Sequence, residues 1–338
     1  MLTSIELSGT PFQIGQALGK FGAEAANTYL INSESWATVM AWRGTDAARQ
    51  MQQLTARHFP RTLDELRGLA DGLQLAFDDV FLWNCRGDVW AMPPDGCTTV
   101  LLPSANGPRI THNEDGDPGF TGFCGIGMFR PDEGPAFASF VYPASIPGHT
   151  FAVTQHGLAM TVNNLRSRQV SVGLPRMVLT RALLEQRTLE DAVTLLENTP
   201  RAGGFHLSMA QRGRADLLSI EFNAQAVSVL HVQQPALHAN HAIHPALQGL
   251  PQVITESSRH RQELGESLLN AEDIDPLAIL ADQSDKPFPI YRNAANDSDN
   301  ENTMATADIH VDEDHIRWRV YEKPGQAPVL NMVDGQPV

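Results

Sequence analysis

Cysteine is nearly absent from this chain. There are three in 338 residues, Cys85, Cys97 and Cys124, and no two are spaced as a CxxC pair. So sparse and odd a set cannot all pair and does not suit a disulfide framework, which fits a reducing compartment. Positive charge is also scarce: 24 Lys and Arg face 39 Asp and Glu, a net charge of −15. A surface this acidic repels phosphate backbones and anionic lipid, so nucleic-acid and membrane partners are disfavoured. No apolar run approaches the ~20 residues needed to cross a bilayer, and no basic-then-apolar leader opens the chain. The phosphate-cradling G-x-x-x-x-G-K-S/T, the G-x-G-x-x-G turn and the G-x-S-x-G nucleophile elbow are all missing. The expectation is a soluble, cytoplasmic protein without a resident cofactor.

The residues present describe one large folded unit. Hydrophobic residues make up 42% of the sequence and charged residues 19%, enough to close a full core. The first 92 residues read as mostly helical. Phe12, Ile14, Ala17, Leu18 and Phe21 form a helical stripe after Thr10-Pro11, a cap followed by a first-turn proline. Leu63, Leu66, Leu69, Ala70 and Leu73 repeat it up to an expected glycine stop, and Phe77, Val80, Phe81 and Trp83 continue it. From Cys97 onward short alternating runs are split by turn residues, with a hairpin expected around Gln155-His156-Gly157. Two helices follow, one from near Pro175 and one capped by Thr188 with Asp191 three residues on. Arg176 and Arg181 are expected on a solvated face of the first. Strands return through "HANHAIH" (238–244), a polar helix covers 256–270, residues 292–302 read as a loop, and the two runs after it as a closing hairpin. Helices, strands, helices, strands do not make regular βαβ units. They suit an α+β arrangement of stacked sheets with helices outside.

Candidate chemistry gathers at a few points. "PPDGCTTV" (93–100) is a turn feeding a strand that Cys97 opens. The ordinary role of such a cysteine is a small buried hydrophobe. A different role appears if the Gly96–Cys97 bond is cut. Cys97 then carries a free α-amine, titrating near ~8, beside its thiol: nucleophile and base on one residue. Gly96 tolerates the bend that an N→S acyl shift requires. "THNEDGDP" (111–118) puts Asn113 and Asp115 on one face of an extended segment, where a carboxylate can hold an ammonium; a solvated turn is the plainer reading. His238, His241 and His244 invite a metal, but Pro245 and the flanking residues favour extended structure and no motif completes the set, so none is expected. Asn240, among them, offers a side-chain amide to an oxyanion or simply closes a turn. A thiol–imidazole pair of Cys97 with His149, His156, His238 or His241 is the competing arrangement, although Cys97 lacks a helix start that would lower its pKa. Arg86, Asn163, Asn164 and Arg166 are supporting candidates, equally readable as hydrogen-bonders at element ends.

Taken together, these motifs resemble the acyl-coenzyme A:6-aminopenicillanic acid acyltransferase (isopenicillin N acyltransferase) family of N-terminal-nucleophile cysteine hydrolases. "LSGTPFQIGQALG" is similar to the family's opening, the 58–88 stretch to its helix pair ending in Asn84-x-Arg86, and "DGCTT" to its self-cleavage site. "HNEDG" resembles the family's N-x-D, with Asp115 lying 18 residues past Cys97, and "HANHAIHP" its H-x-N-H. Two departures stand out. Glu114 occupies a position where the family often has an aromatic, and "ENTMATADI", with Asn302, Thr303 and Thr306, carries no arginine. The resemblance implies a four-layer αββα sandwich and a precursor that cuts itself between Gly96 and Cys97. The pieces, residues 1–96 and 97–338, would stay together as one structural domain. It further implies Cys97 as nucleophile, Asp115 orienting its amine and Asn240 holding the oxyanion, with Arg86, Asn113, Asn163, Asn164 and Thr303 in support. The implied activity is hydrolysis of a small, non-peptide N-acyl amide. The alternatives are acyl transfer, with a coenzyme A thioester as co-substrate only, and a non-catalytic binding protein on the same fold. The expected partners are the small amide and the chain's own second fragment, with a homo-oligomer possible.

Overall fold

The computed structural model describes residues 2–90, 92–93, 95–168 and 171–338. Pro94, in the expected proline–proline turn before Cys97, lies outside the described residues. The first segment starts with an unforeseen strand, β1 (Thr3–Gly9), whose side chains are mostly exposed and so carry little hydrophobic alternation. Six helices follow: α1 (Pro11–Thr28), α2 (Glu34–Met40), α3 (Asp46–His58), α4 (Pro60–Leu73), α5 (Phe77–Trp83) and α6 (Arg86–Val89). Thr10 caps α1 as expected, its hydroxyl and the Gln13 side chain forming a reciprocal capping box. The stop of α4 differs from the expectation. Gly72 is inside the helix, and Gln74 takes the left-handed conformation that ends it.

The rest of the chain builds two sheets. Strands β2 (Asp95–Leu102), β3 (Arg109–Gly116), β4 (Gly125–Pro131), β5 (Phe137–Val141), β6 (Phe151–Thr154) and β7 (Leu158–Asn164) precede helices α7 (Arg176–Leu183) and α8 (Leu189–Asn198). Then come β8 (Phe205–Gln211), β9 (Leu217–Phe222), β10 (Val227–His231), β11 (Ala236–His238), α9 (Glu256–Leu268), α10 (Pro276–Leu280), β12 (Asn302–Val311), β13 (Ile316–Tyr321), β14 (Leu330–Val333) and β15 (Gln336–Pro337). Among the described residues, one sheet has eight strands in the order β1-β4-β5-β6-β7-β8-β9-β10, and the other seven in the order β11-β2-β3-β12-β13-β14-β15. The architecture is α+β. The 155–157 turn makes the β6–β7 hairpin and β12 pairs with β13, both as expected. "HANHAIH" departs from its strand reading after His238, where the chain leaves the sheet.

Helices α1 and α4 pack on each other, α1 touches β1 and β4, and α8 lies on β8 and β10. On the other sheet, α9 rests on β11, and α10 on β2 and β3. The sheets meet where β2 approaches β7, and Phe151 there contacts both His112 and Trp318. Arg176 and Arg181 are corrections to the solvated-face reading, since both are buried. Arg181 pairs with Glu65 of α4 at 2.9 Å, and Arg176 donates to Asn164 Oδ1 at 2.6 Å while lying over the Phe205 ring. These partners come from distant parts of the chain, so helical periodicity gave no sign of them.

Candidate active site

Strand β2 carries Cys97 as its third residue rather than its first, because Asp95 and Gly96 already pair with β3. Register decides what each side chain meets. Cys97 stands opposite Glu114, and Gly96 opposite Asp115. Side chains alternate across a strand, so the thiol faces one side of the sheet and the Asp115 carboxylate the other. "THNEDG" is therefore a buried strand, contrary to the solvated-turn reading.

On the helix-covered side, a polar network surrounds the backbone of Cys97. Its N–H donates to Asn240 Oδ1 at 3.0 Å, and its carbonyl accepts from Arg261 Nη1 at 2.7 Å. Arg261 also donates to Thr98 Oγ1 at 2.8 Å and to Asn240 Oδ1 at 2.7 Å. With Oδ1 taking two donors, the Asn240 amide nitrogen faces the carbonyl of Asn164 at 3.2 Å. Asp115 Oδ1 accepts from Thr303 at 2.7 Å, and its Oδ2 has no hydrogen-bond partner among the described residues. Burial raises the Asp115 pKa, with the Arg292 and Arg261 charges opposing it. In the uncut chain, then, the Cys97 nitrogen is held by Asn240. Asn113 turns toward α10, donating to Leu280 O at 2.8 Å, and accepts from Thr306.

The residues before the expected cut are clamped. Arg86 grips Asp95 through two nitrogens, at 3.1 and 3.2 Å, and Asn164 donates to Asp95 O at 2.9 Å. Gly96 leaves room for Glu301, since a Cβ at residue 96 would fall 2.0 Å from Glu301 Oε2. Glu301 is itself held between Arg166, at 2.7 Å, and Arg292.

The thiol side is different. Cys97 Sγ lies 3.9 Å from Glu114 Oε2, which lies 3.2 Å from His112 Nε2. Asn163 Nδ2 donates to His238 O, so Asn163 Oδ1 must accept from Thr99 Oγ1 at 2.7 Å. Thr99 therefore receives its own hydrogen bond from His112 Nδ1, at 2.8 Å. With His112 neutral, its Nε2 is an acceptor, and the 3.2 Å contact then takes its proton from Glu114. The electrostatics agree: burial lifts Glu114 well above the usual carboxylate range and lowers His112 to about 3. Burial, with Glu114 and Asp115 nearby, raises the Cys97 thiol well above its ordinary value. This favours the thiol form of Cys97.

The histidines weighed in the sequence do not approach the thiol through hydrogen bonds; His112 does, by way of Glu114. His238 instead stacks on His206 and pairs with Glu221 at 2.9 Å. His149 Nδ1 bonds to Ile146 O at 2.9 Å, and His241 Nδ1 to Ser258. Arg261, Arg292 and Glu301 went unrecognised in the sequence. One signal was available for Arg261: the buried face of α9 is Ser257, Ser258, Arg261, Gln262 and Gly265, a polar face where an ordinary helix has an apolar one.

With this geometry in view, likeness to known proteins becomes informative. The profile of the acyl-coenzyme A:6-aminopenicillanic acid acyl-transferase family matches residues 104–323. The chain belongs to that family. The matched span includes Asp115 and Asn240 and starts after Cys97. Among curated proteins it is similar to the beta-alanyl-dopamine/carcinine hydrolase of Drosophila melanogaster, 25% identical over 242 residues. That likeness covers 63% of this chain and 59% of the fly protein, so the chain spans a little over half the length of this relative. Among the described residues, no helix is long and apolar enough to cross a membrane.

Proposed function

We propose that this family member is a self-processing cysteine amidase that hydrolyses small N-acyl amines, β-alanyl amines among them. The carrying observation is the treatment of Gly96–Cys97: one residue before it is clamped at Asp95, and one nitrogen after it is held 3.0 Å from Asn240 Oδ1. Cutting that bond turns the Cys97 N–H into an α-amine next to a thiol whose burial keeps it protonated. The amine takes the thiol proton, the thiolate attacks the acyl carbonyl, and the amine returns the proton to the departing nitrogen. Asn240, held by Arg261, and a backbone N–H stabilise the oxyanion; Asp115 orients the ammonium. Water then resolves the thioester. The name of the fly relative supports hydrolysis. Transfer of the acyl group to an amine is the second reading, supported by the family's description.

The finer architecture proposed is a four-layer αββα sandwich, with α1, α4 and α8 outside one sheet and α9 and α10 outside the other. Residues 1–96 would remain as a bound fragment, tied by Glu65–Arg181 and by Tyr29 to Asp117 at 2.6 Å. A cytoplasmic setting fits three free cysteines. Denaturing mass spectrometry of the purified chain is the test, with two fragments split before Cys97 expected. A single intact species from protein that still hydrolyses a β-alanyl amine would overturn self-activation, and intact, inactive protein would overturn the whole reading.

A further inference from the structure

We propose that Cys97, His112 and Glu114 form a binding site for a soft divalent cation such as zinc, which silences the thiol when filled. All three are buried, and their ligand atoms lie within 4.8 Å of one another. Zinc bonds of roughly 2.0–2.3 Å in tetrahedral geometry put ligand atoms about 3.3–3.7 Å apart. Here Glu114 Oε2 is 3.2 Å from His112 Nε2 and 3.9 Å from Cys97 Sγ, so small side-chain shifts close the set.

The hydrogen-bond direction traced above provides the second, independent argument. Thr99 fixes the proton of His112 on Nδ1, so the Nε2 lone pair points toward Glu114. A metal-ligating histidine needs this tautomer, with its far nitrogen held by an oxygen. The donor set of thiolate, imidazole and carboxylate suits zinc and leaves a fourth position for water. Charge also balances. The thiol and carboxyl protons leave to solvent, and one divalent cation neutralises the two anions, which a buried site requires. Filling the site occupies the lone pair with which sulfur would attack. That consequence for turnover rests on the amidase reading, whereas binding itself does not.

The test is a cobalt(II) titration followed by the sulfur-to-cobalt charge-transfer absorption, with zinc competing, on the full chain as purified. One equivalent should produce the band, and zinc should abolish it. Cys97→Ser should remove the band while leaving the circular dichroism unchanged. His112→Asn and Glu114→Gln should each weaken binding by roughly 100-fold or more. No band in the wild-type protein, or a band that survives Cys97→Ser and so belongs to Cys85 or Cys124, overturns the proposal. Cobalt binding by a chain that hydrolyses no amide would sustain this site and sink the amidase reading.

Discussion

Arg261 shows how one side chain fixes the orientation of another. A planar guanidinium can meet several acceptors at fixed angles, and here they include the Cys97 carbonyl, the Thr98 hydroxyl and Asn240 Oδ1. The last contact decides which end of the Asn240 amide faces the Cys97 nitrogen. Arg261→Gln removes the charge and one arm of the fork, letting the amide turn or drift. A misplacement of about 1 Å can cost roughly 10²-fold in rate. On the proposed amidase reading, turnover by Arg261→Gln should therefore fall about that far with KM little changed, and Arg261→Lys should recover only part of it. Equal losses in kcat and in thermal stability at every substitution would mark Arg261 as merely structural. Composition gave no hint of this role. An arginine on a polar-looking helix reads as solvated unless one notices that Ser257, Ser258 and Gly265 share its face.

Among the elements, helices α1 and α4 make the most extensive contact. Gly15 and Gly19 are four residues apart on α1, as are Gly68 and Gly72 on α4. Each helix thus presents a small-residue stripe that lets backbones touch. A Cβ added at Gly68 would sit 2.0 Å from Phe12 O, and one at Gly15 would sit 1.9 Å from Glu65 O. Backbone atoms cannot step aside as side chains do, so Gly68→Ala must push the helices apart. The expected loss is about 1–3 kcal/mol, despite alanine's better helix propensity. Urea unfolding of Gly68→Ala against the parent checks it; equal midpoints would mean that the helices are not in this contact. Helices α1 and α4 taken singly, the β6–β7 and β12–β13 hairpins and the cap at Thr10 could be read because each is local. Strand β1 escaped because an exposed edge strand has no apolar alternation to detect. The face of the sheet on which each site residue lies escaped too, since Cys97 opposite Glu114 follows from strand register. The family resemblance picked out Asp115 as a candidate without revealing that its carboxylate lies across the sheet from the thiol.

At the scale of the whole molecule, several ion and hydrogen-bond contacts join the segment before Cys97 to the rest, and buried Asp88 is one whose protonation can be followed. Its Oδ1 accepts from Arg176 N at 3.1 Å, and Oδ2 has no partner among the described residues. Burial pushes its pKa up to about 7, against the pull of Arg176 and Arg86. The folded protein thus keeps the Asp88 proton up to about pH 7, while the unfolded chain releases it near the ordinary value of 3.8. Between those limits the folded state binds more protons, so this group's contribution to stability falls as pH rises, by about 1.4 kcal/mol per unit, and levels off above pH 7. Buried and half-buried histidines oppose the trend. His112 and His149 are each lowered to about 3 and His241 to about 4, so the unfolded chain gains protons there as pH drops below their ordinary value of 6.5. The parent's stability curve mixes both slopes and cannot isolate Asp88. Asp88→Asn retains an acceptor for Arg176 and removes only the titration. Relative to the parent, the variant should gain stability steadily from pH 4 to pH 7 and then hold constant, a total of roughly 2–4 kcal/mol. Paired thermal melts across that range measure the difference directly, and a difference that does not change with pH would show that Asp88 is ionised throughout.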